Sequence, residues 1–183
     1  MSNVTLPVAR RPRALARSLL VAAAVAVVAL TATACLPAAD PAPPTTTTQP
    51  PTVAIASCPV QGFTYGQGFG PTHSGIDLAA KLGTNVYAVR NGTLWYWSTG
   101  DVGGYSLYLK ADDGNTYYYT HLTPYPDAWE NSTRPVKAGD VIELVNHTGN
   151  ANGYDHLHFE VRLGGPNGTR VDPRPALDAA GCS

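Results

Sequence analysis

"YSLYLKADDGNTYYYTH", Tyr105 to His121, is the stretch whose reading decides the fold. Two runs rich in aromatic and branched residues flank Asp112-Asp113-Gly114-Asn115. Such residues fit a pleated, half-buried surface. An Asp-Gly pair between two of these runs is a strong short-range hairpin signal. Strands are therefore expected over Tyr105–Ala111 and Thr116–His121. Working outward, similar short runs occur at Asn85–Ala88, Gly92–Trp97, Val141–Val145 and His156–Leu163. Gly, Asn and Asp punctuate them. "KAGD" (Lys137–Asp140) reads as a tight turn before a strand. Long amphipathic helices and fixed-period repeats are missing. The expected class is all-β, mainly antiparallel, with one compact sheet domain.

The chain has 183 residues, and its first part has a different character. Arg10, Arg11, Arg13 and Arg17 precede an unbroken apolar run from Leu19 to Leu30, followed by Ala32-Thr33-Ala34. A basic start, a short apolar core and small residues read as a secretory signal over residues 1–35. The run falls short of the ~20 residues that a membrane span needs; the other reading is an uncleaved signal anchor. Cys35 follows directly, as in the lipobox of bacterial lipoproteins, although Ala32 stands where that pattern prefers Leu. Cys35 is thus a candidate lipidation site, with an ordinary A-x-A cleavage as the alternative. Residues 36–56, around "PPTTTTQPP", read as an extended Pro/Thr/Ala-rich linker. The folded domain is expected over 57–183.

Two other cysteines, Cys58 and Cys182, lie at the ends of that domain, and exported proteins tend to pair them. Their bridge would close a loop worth about 4–5 kcal/mol in the chain-entropy picture. Without the four leader arginines, eight basic residues face thirteen acidic ones, a balance of −5. No basic stripe remains, which argues against a nucleic-acid partner.

Chemistry is carried by the histidines. On a strand, residues i and i+2 share a face. His156 and His158 in "DHLHFEVR" therefore project together, with Leu157 and Phe159 on the other side. In "HSGIDLAA", His73 and Asp77 are four apart, and a chain bending at Gly75 brings both to one ion. Imidazole and carboxylate are both zinc ligands. His121 ends the aromatic strand "YYYTHL". Each segment alone carries little, since exposed histidines are common. Three such segments, with four of the five histidines at sites where strand ends could converge, carry more.

These segments, in order, resemble peptidase family M23, the lysostaphin-like zinc endopeptidases of peptidoglycan. "THSGIDLAAKLGTNVYAVRNGTL" (Thr72–Leu94) is similar to the family's H-x-G-x-D-x-A-A motif and its continuation. "YYYTHL" resembles its Tyr-x-His-Leu segment, "VKAGDVIELVNHTGNANG" (Val136–Gly153) its V-x-x-G-x-x-I stretch, and "HLHFEVR" its H-x-H motif. "VDPRPAL" (Val171–Leu177) resembles its Asp-Pro ending. The chain departs from the pattern at Lys81 and at "GYD" before His156, where Pro is common. His147 falls outside it and is assigned to the surface.

The resemblance implies a role for each residue. His73, Asp77 and His158 would bind one Zn2+, and His121 and His156 would form the catalytic pair. Three protein ligands leave a fourth tetrahedral position open, as a catalytic zinc requires. The implied function is zinc-dependent endopeptidase cleavage of peptidoglycan cross-links, by an exported monomer held at the envelope by lipid, by an uncleaved signal, or not at all. The alternative is a catalytically silent M23-like domain that binds cell wall or regulates another hydrolase. Asp155, Glu160 and Tyr117–Tyr119 are candidates to support the ligands. Tyr65, Trp95, Trp97 and Tyr154 are candidates for a substrate groove.

Overall fold

A computed structural model describes residues 53–98 and 100–183. The leader, the lipidation candidate Cys35 and most of the expected linker lie outside the described residues. Among the described residues, ten strands form in chain order: β1 (Thr64–Tyr65), β2 (Ile76–Ala79), β3 (Asn85–Tyr87), β4 (Gly92–Tyr96), β5 (Tyr105–Ala111), β6 (Thr116–Leu122), β7 (Thr133–Val136), β8 (Val141–Leu144), β9 (His156–Leu163) and β10 (Thr169–Val171). One short helix, α1 (Arg174–Ala179), follows. Every strand pair is antiparallel. The fold is all-β, as read from the opening hairpin, which forms with Gly114 at φ +81° in its turn.

The main sheet runs β1-β2-β9-β6-β5-β4-β7, and β3 and β8 form a separate ribbon. The long β9 has β6 along one side; β2 and then β10 share its other side. Alternation along β9 divides the sheet into two faces. Leu157, Phe159 and Val161 are fully buried, with Leu78, Leu107, Leu109, Tyr117 and Tyr119 from neighbouring strands. This face, the ribbon's Val86 and Ile142, and Val145 just after it make one core. His156, His158, Glu160 and Arg162 are the intervening residues, so they line the opposite face. Burying the apolar row thus fixes the register that gathers the polar row.

The strands over Tyr105–Ala111 and His156–Leu163 match the sequence reading at both ends, and the other four expected strands differ from it only at their C-terminal ends. β1, β2, β7 and β10 have no counterpart in that reading, because two to four residues are too few to show alternation. The linker expected over 36–56 ends sooner than residue 56. Val53 and Ile55 pack against the core, and the Ala56 N–H donates to the Val89 carbonyl at 2.9 Å. Their apolar side chains bury surface that a Pro/Thr stretch does not offer. Cys58 and Cys182 are joined by a disulfide that links the N-terminal segment to the turn after α1.

Candidate active site and metal centre

β2 and β9 pair with Asp77 directly opposite His158 and Ala79 opposite His156. Directly opposed residues on one face hold their Cβ atoms about 5 Å apart. Pairing alone therefore sets the carboxylate against the imidazole, and Asp77 Oδ1 lies 3.0 Å from His158 Nδ1. His73 arrives from the bend just before β2. Its Nε2 stands 3.1 Å from Asp77 Oδ1 and 2.9 Å from His158 Nδ1. Gly75 makes this approach possible. A Cβ there would collide with the Phe159 carbonyl oxygen and press on His158 Nε2.

The remaining ring nitrogens are already committed. His73 Nδ1 donates to the Gly68 carbonyl at 2.9 Å. His158 Nε2 faces Glu160 Oε1 at 3.4 Å. A carbonyl or carboxylate only accepts, so these nitrogens carry the protons of the neutral rings. Their opposite nitrogens then present lone pairs toward each other and toward Asp77. Three acceptor atoms at about 3 Å from one another repel unless a cation or added proton lies among them. The donor set suits a borderline metal such as zinc: two imidazoles, one carboxylate, each ring fixed by an outer acceptor.

His121 and His156 stand beside this cluster. Their ring centroids are 4.6 Å apart, and His156 Nε2 is 3.6 Å from Asp77 Oδ1. Each donates its Nδ1 proton to a backbone carbonyl at 2.7 Å, that of Thr148 for His121 and of Tyr154 for His156. Both rings therefore keep Nε2 as a lone pair. His121 reaches the face by an irregularity. Leu107 pairs with Tyr119, but Tyr105 pairs with Leu122, so β6 carries one extra residue against β5. His121 sits in that bulge at φ +63°, in the left-handed region. Strict alternation would send it to the face opposite that of Thr120, which pairs with His158. The bulge re-aims the side chain. Its partner carbonyl is held by close packing of two loops: a Cβ on Gly149 would collide with the Gly104 nitrogen.

Burial and neighbours set the charges. Burial pushes His121 down to about 4, so it is a neutral imidazole where an ordinary histidine protonates. Burial would raise the Asp77 carboxyl, but the His158 bond and the surrounding imidazoles hold it below the usual range. For His158, burial is outweighed by Asp77 and Glu160, which raise it. Glu160 is itself buried. Burial would raise it, yet His158, Ser74 and Arg162 bring it down to about 2. Ser74 Oγ donates to it at 2.5 Å and Arg162 Nε at 2.6 Å.

This last group makes a pH prediction. The Glu160 pKa in the fold lies below its ordinary 4.5. Its stabilising contribution is complete above pH 4.5 and is lost as pH falls through about 2. In the metal-free domain, unfolding free energy should drop between these pH values by about 3 kcal/mol more in wild type than in Glu160→Gln. Chemical denaturation at a series of pH values measures it; parallel curves for the two proteins would contradict the assignment.

The site opens into a cleft of about 730 Å³. His73, Asp77, His121, His156 and His158 all line it. Of the aromatic groove candidates, Tyr154 lines it and stacks on His156 with centroids 4.7 Å apart. Trp95 and Trp97 pack on each other on β4 and the segment after it, and Tyr65 donates to Asp178; none of these three lines the cleft. Of the support candidates, Glu160 touches a site histidine. Asp155 instead bonds the exposed His147 at 2.6 Å, while Tyr117 and Tyr119 bond Asp113 and the Val89 N–H in and beside the core. Sequence reasoning missed Gly68, Thr148 and Tyr154 as carbonyl acceptors, since any residue offers that group. It also missed Ser74, Arg162 and Arg170 around Glu160.

The model of peptidase family M23 matches residues 71–173, more than half of the chain and all five site residues. The chain belongs to peptidase family M23. The DD-carboxypeptidase/endopeptidase Mpg of Neisseria meningitidis is 37% identical over 103 residues, which cover 55% of this M23 chain and 22% of Mpg. Lysostaphin of Staphylococcus simulans is 31% identical over 134 residues, covering 67% and 26%. This chain thus spans about a quarter of the length of these curated relatives. The solved catalytic domain of lysostaphin superposes with a TM-score of 0.55 at 30% identity, covering 63% of this chain and 92% of that domain. A zinc containing peptidase from Vibrio cholerae superposes with a TM-score of 0.55 at 26% identity, covering 66% and 39%.

Proposed function

We propose that this M23 domain is a zinc-dependent endopeptidase that hydrolyses peptide cross-links of bacterial peptidoglycan. One observation carries the reading. The lone pairs of His73 Nε2, Asp77 Oδ1 and His158 Nδ1 converge, while every opposing ring nitrogen is spent on an outer acceptor. The names of the M23 relatives, an endopeptidase and lysostaphin among them, support the substrate, and the zinc containing relative supports the metal. The domain, taken as residues 57–183 with the segment 53–56 packed on it, acts on material outside the cytoplasmic membrane. That location agrees with the leader read over residues 1–35.

His73, Asp77 and His158 would hold the ion. Zinc so held supplies a Lewis acid that acidifies water and polarises an amide carbonyl. The chain's own residues do the rest. His121 and His156 present Nε2 lone pairs on the same side of the cleft, each fixed in that tautomer by a carbonyl. One would take the proton of the attacking water. The other would donate to the oxyanion or the departing amine once protonated. Burial keeps His121 unprotonated near neutrality, so its Nε2 lone pair is available. Tyr154 stacked on His156 limits the tilt of that ring.

Purified residues 53–183 should carry about one zinc per chain and release new amino termini from cell-wall sacculi. Mass analysis of the products identifies the bond. A zinc-loaded, folded domain that releases nothing from sacculi of several cross-link types would leave the silent, wall-binding alternative.

A further inference from the structure

Arg170 in β10 stands directly opposite Arg162 in β9. Like charges in directly opposed positions repel. Both guanidiniums are drawn to one carboxylate oxygen, Glu160 Oε2, with Nε at 2.6 Å for Arg162 and 3.1 Å for Arg170. Arg162 is buried and held at both Nε and Nη1. Its Nη1 donates to Tyr108 Oη at 3.2 Å and to the Pro166 carbonyl at 2.6 Å, and its plane lies over the Tyr108 and Tyr118 rings. One carboxylate against two guanidiniums leaves one positive charge uncompensated. That charge falls on Arg170, whose side chain is 48% exposed.

Position gives the charge a use. Arg170 lines the cleft and also a shallow depression beside it, formed with Phe69, Thr72, His73 and Ser74. Among the described residues, Arg170 is held only through Nε, and its terminal nitrogens have no partner. With Nε on Glu160, the two terminal nitrogens are left to serve another acceptor. A planar guanidinium with two parallel N–H groups matches a carboxylate in bidentate geometry. A solvent-exposed ion pair made only for stability contributes little, and Glu160 is already satisfied by Ser74 and Arg162.

We infer that Arg170 is a specificity-determining residue that binds a free carboxylate of the substrate peptide, next to the end of the metal cluster marked by His73. This rests on the peptidase reading above. It deepens that reading by naming the substrate class: stem peptides whose cross-linking diamino acid keeps a free carboxylate beside the scissile amide, rather than uncharged glycine bridges. Arg170 acts by positioning and takes no part in proton transfer.

The test uses two synthetic cross-linked stem-peptide dimers that differ only in that group, a free carboxylate in one and its amide in the other. Binding is measured calorimetrically to the full domain carrying His156→Ala, and cleavage is measured with the native histidine. The carboxylate form should bind about tenfold more tightly than the amide. Arg170→Gln should bring the two affinities within about twofold by weakening the carboxylate form alone. In cleavage the loss should appear in KM for the carboxylate form. Equal affinity of the two dimers for the unmodified cleft, or unchanged discrimination in Arg170→Gln, overturns the inference. Discrimination in binding without cleavage of either dimer upholds the carboxylate site and removes the peptidase reading instead.

Discussion

His158→Ala should bind zinc at least about 100-fold more weakly than wild type and show no measurable release of peptides from sacculi. Loss of outer contacts to a ligand already costs about 10–100-fold in affinity, and this change would remove a proposed ligand atom itself. His158 Nδ1 is in contact with both other acceptors, at 2.9 Å from His73 and 3.0 Å from Asp77. Without it, two of the three proposed ligands would remain, and catalytic zinc sites take three from the protein. The fold should survive. The apolar face of β9 is untouched, and the strand keeps its neighbours on both sides. Zinc content by elemental analysis and far-ultraviolet circular dichroism separate the two effects. A folded His158→Ala domain that retains its full zinc would end the ligand assignment.

The second large effect is at His121. His121→Asn should leave zinc content unchanged and lower kcat by about 10²–10⁴-fold, the usual cost of losing a general acid–base group. Asparagine is chosen for the backbone. His121 holds φ +63°, a region that Asn enters more readily than most residues. The bulge in β6 therefore persists in the variant. Its backbone N–H at this position still donates to the Gly103 carbonyl, as that of His121 does at 2.9 Å. Only the imidazole is lost, and with it the Nε2 lone pair. If kcat survived this change, His121 would be no more than a wall of the cleft. If zinc left with it, His121 would belong to the ligand set.

Legibility in the sequence followed the range of the underlying interaction. The hairpin at Asp112–Asn115 was readable because its turn is a local matter of backbone geometry. The shared face of His156 and His158 was readable because alternation is a property of one strand, and burial of Leu157, Phe159 and Val161 turns that face to the cleft. The motifs that resemble M23 supplied the five polar positions together. Residue spacing alone did not place Asp77 opposite His158. That contact depends on β2, four residues long, pairing with a strand 81 positions away.

The sequence by itself determined the class of fold and the pairing of two histidines on one face of β9, while the proposed ligand set came from the resemblance to M23. The first two rest on local rules: pleat periodicity and turn propensity. The tertiary structure decided the rest. It set the β2–β9 register that brings Asp77 to His158, the extra residue in β6 that turns His121 into the cleft, and the two arginines that converge on Glu160. Each depends on which distant strands pair and at what offset, and that is fixed by burying the whole apolar face at once.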